Sequence, residues 1–275
     1  MIRSAHGTRR TRRTLRVSAV AAAALLALNA CSSSGPDAGA ASRPSGSSAE
    51  LSGTVTVFAA ASLEESFTAL GERFEKEHPG TEVAFSFGGS DSLAAGITGG
   101  APADVFAAAS ATTMKLVTDR DAAAGAPTTF ARNRLQIATL PGNPDRISSL
   151  KDLAGAGLKV VLCDKEVPCG AAAQKALDAG GVRLTPVSYE QDVKSALTKV
   201  ELKEADAAVV YRTDVEAAGD KVQGVEFPES ADALNDYPIA LLKDAPNPAA
   251  ARAFVDLVRS SEGRRVLSRA GFLQP

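Results

Sequence analysis

The sequence is poor in the side chains that most hydrolytic active sites need. Among its 275 residues there are two histidines, His6 and His78. The first lies in an arginine-rich N-terminal stretch, and the second stands beside a proline in a predicted turn. A serine hydrolase needs a general base next to its nucleophile, and no G-x-S-x-G segment is present either. These absences argue against a serine hydrolase and predict a protein that is not an enzyme.

Cysteine is also scarce, with three residues in the whole chain. Cys163 and Cys169 lie close together in the sequence, and outside the membrane such a pair usually forms a disulfide. A metal site is the alternative, but two thiolates with no histidine nearby make a poor one. We therefore predict a disulfide between Cys163 and Cys169, which would chiefly fix the shape of a short loop.

The third cysteine ends a segment that resembles an export signal. An arginine-rich stretch is followed by an apolar run from Val17 to Leu28, which is too short for a normal transmembrane helix. The run leads into Leu28-Asn29-Ala30-Cys31, which resembles a lipoprotein signal box. We predict a signal peptide over residues 1–30 and a lipid anchor at Cys31, on the extracytoplasmic face of the cell membrane. An ordinary secretory signal with an incidental cysteine is the alternative, and the export route, Sec or twin-arginine, stays open.

Residues 31–50 contain mainly serine, glycine, alanine and proline, which predicts a flexible tether. The chain has 30 basic and 32 acidic residues, and removing the six arginines of the first thirty residues leaves 24 basic side chains against 32 acidic ones. This acidic excess argues against nucleic acid as a partner. Any bound anion must therefore be held by local groups rather than by the overall charge of the protein.

From residue 51 onward, predicted strands alternate with predicted helices. The strands are expected at 54–58, 82–87, 104–107, 134–140, 159–162, 187–188, 207–211, 222–227 and 237–242. The helices are expected at 63–78, 91–98, 112–121, 149–154, 171–179, 192–202, 249–260 and 263–269. This alternation predicts an α/β fold with mostly parallel sheets flanked by helices. Ligands of such sheets bind beyond the carboxyl ends of the strands, so the loops found there are the candidate site.

Two of these loops bring serine hydroxyls to the start of a helix. In Val57–Ser66, Ser62 is followed three residues later by Glu65, a pattern that fits a capping box. The first backbone N–H groups of a helix have no partners within it, so a hydroxyl beside them forms a small-anion site. Ser90, which follows two glycines and precedes the next predicted helix, is a second candidate of this kind. The alternative for both serines is a plain helix cap that binds nothing.

Three further candidates occur later in the chain. Cys169 precedes the predicted helix 171–179, Val193 lies at the start of the predicted helix 192–202, and Tyr211 ends a buried strand and offers one O–H donor. The alternatives are a plain turn for the loops and a core position for the tyrosine. No positive side chain is clearly aimed at this set of groups. Neutral donors favour a fully deprotonated tetrahedral oxyanion, because a protonated phosphate would need an acceptor in the site.

Taken in order, these segments resemble those of the molybdate-binding proteins of ABC transporters, in the type II periplasmic-binding-protein superfamily. The motifs are VFAAASL (57–63), SFGGSDSL (86–93), GAPADVF (100–106), EVPCG (166–170), EQDV (190–193), AVVY (208–211), YPIALL (237–242) and GFL (271–273). The resemblance covers residues 51 to 275. AAASL, GAPADVF and VP-x-G are specific when they occur in this order, whereas any one of them alone would be weak.

The resemblance implies two lobes joined by two crossings, with the ligand in the cleft between them. Lobe 1 would comprise residues 51–131 and 232–275, and lobe 2 residues 132–231. Closure of the lobes would dehydrate the anion and complete its set of donors.

The resemblance also implies a ligand set, carried over by motif. Ser62 and Ser90 would contribute hydroxyl and backbone donors, Cys169 and Val193 backbone N–H groups, and Tyr211 its hydroxyl. The family often has alanine where Cys169 stands, and because the backbone N–H is the donor, the change need not affect binding.

The implied function is the capture of molybdate, and of tungstate, for import by an ABC transporter whose permease subunits are the partners. We expect a monomer without a cofactor, in which molybdenum is bound only as its oxyanion. The alternative is a receptor for another tetrahedral oxyanion, such as sulfate, thiosulfate or phosphate. Molybdate and sulfate are both tetrahedral dianions that differ mainly in size, and a sequence does not show the dimensions of a cavity.

Overall fold

The structure is a computed structural model that describes residues 50–275. The predicted signal peptide, the predicted lipidation site Cys31 and all but the last residue of the predicted tether lie outside the described residues. Within the described part, no helix combines the length and the apolar character needed to cross a membrane.

Residues 50–275 form ten β-strands, eight α-helices and four short 3-10 turns. The strands are β1 (Gly53–Ala60), β2 (Thr81–Gly88), β3 (Val105–Ala107), β4 (Thr128–Asn133), β5 (Leu135–Thr139), β6 (Val160–Cys163), β7 (Ser188–Glu190), β8 (Ala207–Tyr211), β9 (Gln223–Val225) and β10 (Asn235–Leu241). The helices are α1 (Glu64–Glu77), α2 (Ser90–Thr98), α3 (Ala111–Thr118), α4 (Pro168–Ala179), α5 (Val193–Glu201), α6 (Arg212–Ala218), α7 (Pro248–Arg259) and α8 (Ser261–Arg269). The 3-10 turns are Ala61–Leu63, Leu150–Ala154, Gly219–Lys221 and Pro228–Ala233.

The strands form two five-stranded sheets with the orders β2-β1-β3-β10-β4 and β7-β6-β8-β5-β9. In each sheet four strands run in one direction, and one strand, β10 or β5, is antiparallel to both of its neighbours. Helices α1, α2, α3, α7 and α8 pack with the first sheet, and α4, α5 and α6 pack with the second. We call these two parts lobe 1 and lobe 2. They form the α/β architecture with mostly parallel sheets that the sequence predicts.

The first β-α-β unit shows how the sequence sets this architecture. Along β1, Val55 and Val57 alternate with more exposed threonines, so one face of the strand is buried. Helix α1 buries Phe67, Leu70 and Phe74, whose spacing of three and four residues places them on one side of the helix. The chain then returns along β2, parallel to β1. The buried side of α1 therefore packs onto the sheet, and the loop after β1 is left at its carboxyl end.

Each lobe has its own apolar core. In lobe 1 the ring of Phe254, on α7, lies 5.7 to 6.1 Å from the rings of Phe67, Phe74 and Phe85. In lobe 2 the core contains aliphatic residues from β5, β6 and β8 together with one side of α4 and α5. Ala61, which follows β1 in lobe 1, packs into the lobe 2 core. The lobes are therefore in direct apolar contact next to the loop that holds Ser62.

The chain passes between the lobes at two places that lie side by side. β4 ends at Asn133 in lobe 1, and β5 begins at Leu135 in lobe 2. The return passes from β9 through the 3-10 turn Pro228–Ala233 into β10 at Asn235. Asn133 and Asn235 are direct partners in the antiparallel ladder of β4 and β10. The predicted limits of the two lobes, near residues 131/132 and 231/232, stay predictions.

Three local predictions differ from the structure. Strand β4 was not predicted, because its sequence TTFARN does not alternate regularly between polar and apolar residues. Helix α6 was not predicted either, because it is short and begins directly after Tyr211. The predicted helix at 149–154 is a 3-10 turn, in which Asp152 accepts bonds from the N–H groups of Ser148 and Ser149.

Replacement of Phe254 tests the lobe 1 core. The side chain is fully buried among three other aromatic rings, so Phe254→Ala should lower the free energy of unfolding by about 3–5 kcal/mol. Leu116→Ala is the control, because Leu116 is 49% exposed on α3, and its effect should stay within about 0.5 kcal/mol. Urea denaturation followed by circular dichroism measures both variants. Equal effects of the two substitutions would contradict this description of the core.

Candidate functional site

A small cavity lies between the lobes, beyond the carboxyl ends of β1, β2 and β8. Its volume between atoms is about 210 Å³, including open space at its mouth. All five predicted binding residues, Ser62, Ser90, Cys169, Val193 and Tyr211, line it. The other lining residues are Ala60, Ala61, Gly88, Gly89, Ala109, Val167, Pro168 and Asp192. Residues that are almost 150 positions apart in the sequence are thus brought to one place.

Ser62 lies inside the 3-10 turn that precedes α1, and its side chain does not cap that helix. Its Oγ atom is instead 2.8 Å from the phenolic oxygen of Tyr237 on β10. Glu65, the other member of the predicted capping box, forms an ion pair with Lys194 of lobe 2, with 2.5 Å between Oε1 and Nζ. The prediction of a capping box is therefore wrong. Both side chains have partners that lie far away in the sequence.

Ser90 was expected at the N-cap position of α2, but it is the first residue of that helix and Gly89 is the cap residue. The Ser90 hydroxyl oxygen accepts a hydrogen bond from the backbone N–H of Ala109, at 3.0 Å. The side chain is buried, so this bond fixes its rotamer. Because the oxygen acts as acceptor here, the hydroxyl hydrogen is available for donation into the cavity.

Cys169 is the second residue of α4, which begins with Pro168. The backbone N–H groups at this position have no acceptor within the helix, and they border the cavity. The sulfur atoms of Cys163 and Cys169 are 2.06 Å apart, so the structure holds them as a disulfide. An added Cβ at Gly170 would lie 1.9 Å from the carbonyl oxygen of Asp164. The loop from 163 to 170 is thus packed tightly against the start of α4.

Val193 is the first residue of α5, and Asp192 is its N-cap. One carboxylate oxygen of Asp192 accepts from the Ser195 N–H and the other from the Ser195 hydroxyl, both at 2.9 Å. The Asp192 oxygens are therefore occupied within the cap, although the residue borders the cavity. The N–H of Val193 has no partner within the helix, so it is available to a ligand.

Two buried tyrosines form a hydrogen-bond network with two asparagines. The Tyr211 hydroxyl accepts from Nδ2 of Asn235 at 2.7 Å, and the Tyr237 hydroxyl accepts from Nδ2 of Asn133 at 3.4 Å. Burial raises the pKa of both phenols, so both keep their protons at neutral pH. Since Tyr237 accepts from an amide, its own hydrogen can be donated to Ser62. The hydrogen of Ser62 is then available to a ligand.

The sequence reasoning did not identify Asn133, Asn235 and Tyr237 as members of the site. Tyr237 opens the motif YPIALL, which was noted only as part of a resemblance. An isolated asparagine carries no sequence signal for a role of this kind. The pairing of β4 with β10 reveals the roles of both asparagines, and β4 itself was not predicted.

Lys194 directly follows Val193 in the sequence. Its ammonium group is 2.5 Å from Glu65 of lobe 1 and 3.5 Å from the buried Asp214 of lobe 2. Burial lowers the pKa of Lys194, but Asp214 and Glu65 raise it more, so the side chain stays charged. Burial raises the pKa of Asp214 to about 7, against the opposing effect of Lys194. The ammonium group therefore bridges the lobes and does not line the cavity.

Two further observations concern the cleft within the described residues. An added Cβ at Gly89 of lobe 1 would lie 2.5 Å from the carbonyl oxygen of Gln191 in lobe 2, so the lobes approach each other closely here. No group of three or more histidine, cysteine, aspartate or glutamate side chains within residues 50–275 is arranged to hold a metal ion.

Comparison with known proteins gives close relatives. The profile of the family described as bacterial extracellular solute-binding protein matches residues 55–273. The molybdate-binding protein ModA of Mycobacterium tuberculosis is 45% identical over 246 residues, which cover 90% of this chain and 92% of that protein. ModA of Escherichia coli is 32% identical over 230 residues, which cover 80% of this chain and 89% of that protein. The resemblance indicated by the motifs is thereby confirmed.

Solved structures share the fold. The periplasmic molybdate-binding protein of Azotobacter vinelandii superposes with a TM-score of 0.71 at 22% identity and covers 80% of this chain and 99% of its own. The sulfate-binding protein SubI of Mycobacterium tuberculosis superposes with a TM-score of 0.68 at 19% identity and covers 80% of this chain and 86% of its own. At these identities the likeness concerns the fold alone, and it confirms the two-lobed α/β class.

The relatives named above are solute-binding proteins and not enzymes, which agrees with the prediction of a binding protein. The profile match extends over nearly all of the described residues, and the relatives are similar over most of their own length. The chain therefore belongs to the bacterial extracellular solute-binding protein family.

Proposed function

We propose that this protein captures molybdate, and tungstate of nearly the same size, for import by an ABC transporter. One observation carries the proposal. Donors from both lobes, the hydroxyls of Ser62, Ser90 and Tyr211 and the N–H groups of Cys169 and Val193, border one small cavity. The ModA relatives, which are named for molybdate binding, support the choice of ligand.

The chemistry of the cavity supports a fully deprotonated oxyanion. Three helices, α2, α4 and α5, begin at its wall, and the N-terminus of a helix carries partial positive charge and unpaired N–H groups. Among the described residues, no lysine or arginine lines the cavity. The anion is therefore bound by neutral donors. Molybdate and tungstate have four oxygens that only accept hydrogen bonds, so they match this set.

The cellular setting of the proposal follows from the N-terminal sequence. We propose that Cys31 carries a lipid anchor on the extracytoplasmic face of the membrane and that residues 31–50 let the binding domain reach the permease. The protein acts as a monomer of two lobes, whose limits we expect near residues 131/132 and 231/232. The disulfide between Cys163 and Cys169 is expected to form in that oxidising compartment.

Calorimetric titration with a panel of oxyanions tests the proposed ligand. Molybdate and tungstate should bind tightly, because the cavity offers a full set of donors to a dianion of this shape. Sulfate, thiosulfate and phosphate should bind more weakly by orders of magnitude. Sulfate or phosphate binding as tightly as molybdate would refute the proposal and favour the alternative receptor.

Gly89→Ala tests whether binding needs the close approach of the lobes. The new Cβ would lie 2.5 Å from the Gln191 carbonyl oxygen, so the lobes would be held apart and molybdate affinity should fall at least about tenfold. Gly96→Ala is the matched control, because its Cβ would meet no atom closer than 3.7 Å. Calorimetry compares the two. Similar affinities would show that this contact is absent from the ligand-bound state.

Intact-mass measurement tests the disulfide. Protein consisting of residues 32–275 should take up alkylating reagent at two thiols only after reduction, because Cys163 and Cys169 are bonded. The sample that is alkylated without reductant is the control. If it already carries both labels, the bond does not form in solution.

A further inference from the structure

Asn235 stands where β10 begins and contacts three groups around the cavity. Its Nδ2 atom lies 2.7 Å from the carbonyl oxygen of Ala109, 2.7 Å from the hydroxyl oxygen of Tyr211 and 3.3 Å from the carbonyl oxygen of Pro168. Ala109 belongs to lobe 1, and Pro168 and Tyr211 belong to lobe 2. A single amide therefore joins both lobes and one of the ligand-binding side chains.

The two carbonyl groups determine the orientation of this amide. Carbonyl oxygens only accept hydrogen bonds, so the atom of Asn235 that faces Ala109 and Pro168 has to be the nitrogen. An amide nitrogen donates and does not accept. The Tyr211 hydroxyl oxygen must therefore be the acceptor of its bond with Asn235. The Tyr237 hydroxyl is a second neighbour of the Tyr211 hydroxyl, but the bond from Asn235, at 2.7 Å, already occupies the Tyr211 oxygen as an acceptor.

The hydrogen of Tyr211 can then be donated into the cavity, which Tyr211 lines. We propose that Asn235 is a specificity-determining positioning residue, which forces the Tyr211 hydroxyl to act as a donor towards the anion. Asn133 has the corresponding role for Ser62. It donates to the Tyr237 hydroxyl, which in turn can donate to Ser62. The inference rests on the proposed function, because it assumes an oxyanion in this cavity.

The consequence is that the site distinguishes anions by whether they carry a proton, as well as by their size. A hydroxyl is normally both donor and acceptor, and it could accept the proton of hydrogen phosphate. With its acceptor capacity directed to Asn235, Tyr211 offers that proton no good partner. An anion that carries a proton then leaves a buried donor unpaired, which is costly. Molybdate carries no such proton, so its binding leaves no buried donor unpaired.

A double-mutant cycle tests whether Asn235 acts through Tyr211. Asn235→Ala should weaken molybdate binding about tenfold in the wild-type background. The same substitution in a Tyr211→Phe background should weaken it less than about threefold, because the hydroxyl that it orients is gone. If Asn235 only holds the carbonyls of Ala109 and Pro168 together, both backgrounds should show the same loss. Equal losses would overturn the proposal.

Asn235→Asp tests the specificity directly. A carboxylate at this position would accept from the Tyr211 hydroxyl and so reverse the direction of the bond. Molybdate affinity should fall at least about a hundredfold. At mildly alkaline pH, molybdate and hydrogen phosphate are both dianions, so the new negative charge repels them alike. The preference for molybdate over hydrogen phosphate should therefore decrease at least about tenfold, as measured by calorimetric competition.

Asn247→Asp is the matched control for this variant. Asn247 also donates from Nδ2 to two carbonyls, of Ser52 at 2.8 Å and Thr54 at 3.3 Å, but it does not line the cavity. Its substitution should leave the preference between the two anions unchanged. An unchanged preference in Asn235→Asp would overturn the proposal. If that variant is unstable, the cycle with Asn235→Ala decides alone.

The wild-type protein separates this inference from the proposed function. If it binds none of the oxyanions, the proposed function fails and the inference fails with it. If it binds molybdate but the cycle gives equal losses, only the role of Asn235 is refuted. If it binds sulfate, which carries no proton, more tightly, the cycle is measured with sulfate and is read in the same way. Tighter binding of hydrogen phosphate than of molybdate would overturn the inference.

Discussion

The antiparallel pairing of β4 with β10 is the constraint on which the rest of the structure depends. These strands carry the chain between the lobes, and their ladder places Asn133 opposite Asn235. The two amides reach the hydroxyls of Tyr237 and Tyr211, and through them Ser62 and the cavity. A change in the twist of the two strands would move both hydroxyls. The geometry between the lobes and the geometry of the donors are therefore parts of one unit.

The position of charged side chains around the cavity follows from the free-energy cost of burying ions. A lysine in the cavity would attract a dianion, but its ammonium group would have to lose its water as well. In this protein Lys194 lies beside the cavity between Glu65 and Asp214, where two carboxylates compensate it. In the proposed function the anion would be bound by hydroxyls and helix N-termini. Such dipoles are already oriented before binding, and they act strongly where water is excluded.

The sequence predicted which residues meet at the cavity better than it predicted how each is held. All five predicted positions border the cavity because they lie in loops at the ends of parallel strands, which meet in space. Ser62 and Glu65 fit a capping box by local spacing, yet Tyr237 and Lys194 are their partners. These partners lie 175 and 129 positions away, and local patterns do not reveal pairings of that kind.

In the proposed function the donors are divided between the lobes, and this division would link binding to closure. Lobe 1 supplies Ser62 and Ser90, so an anion bound to it alone would keep water on its other side. The protein contacts across the cleft are weak by comparison. Glu65 is 52% exposed in its pair with Lys194, and such pairs contribute about 0–1 kcal/mol.

Hydrogen bonds to a charged group contribute about 1.5–3 kcal/mol each, and in the proposed function lobe 2 would supply several of them only when the cleft is closed. A ligand shifts an equilibrium only by the difference in its affinity for the two states. In the proposed function the donors of lobe 2 would provide that difference, so the anion itself, more than any contact between the lobes, would determine how far the closed state is populated.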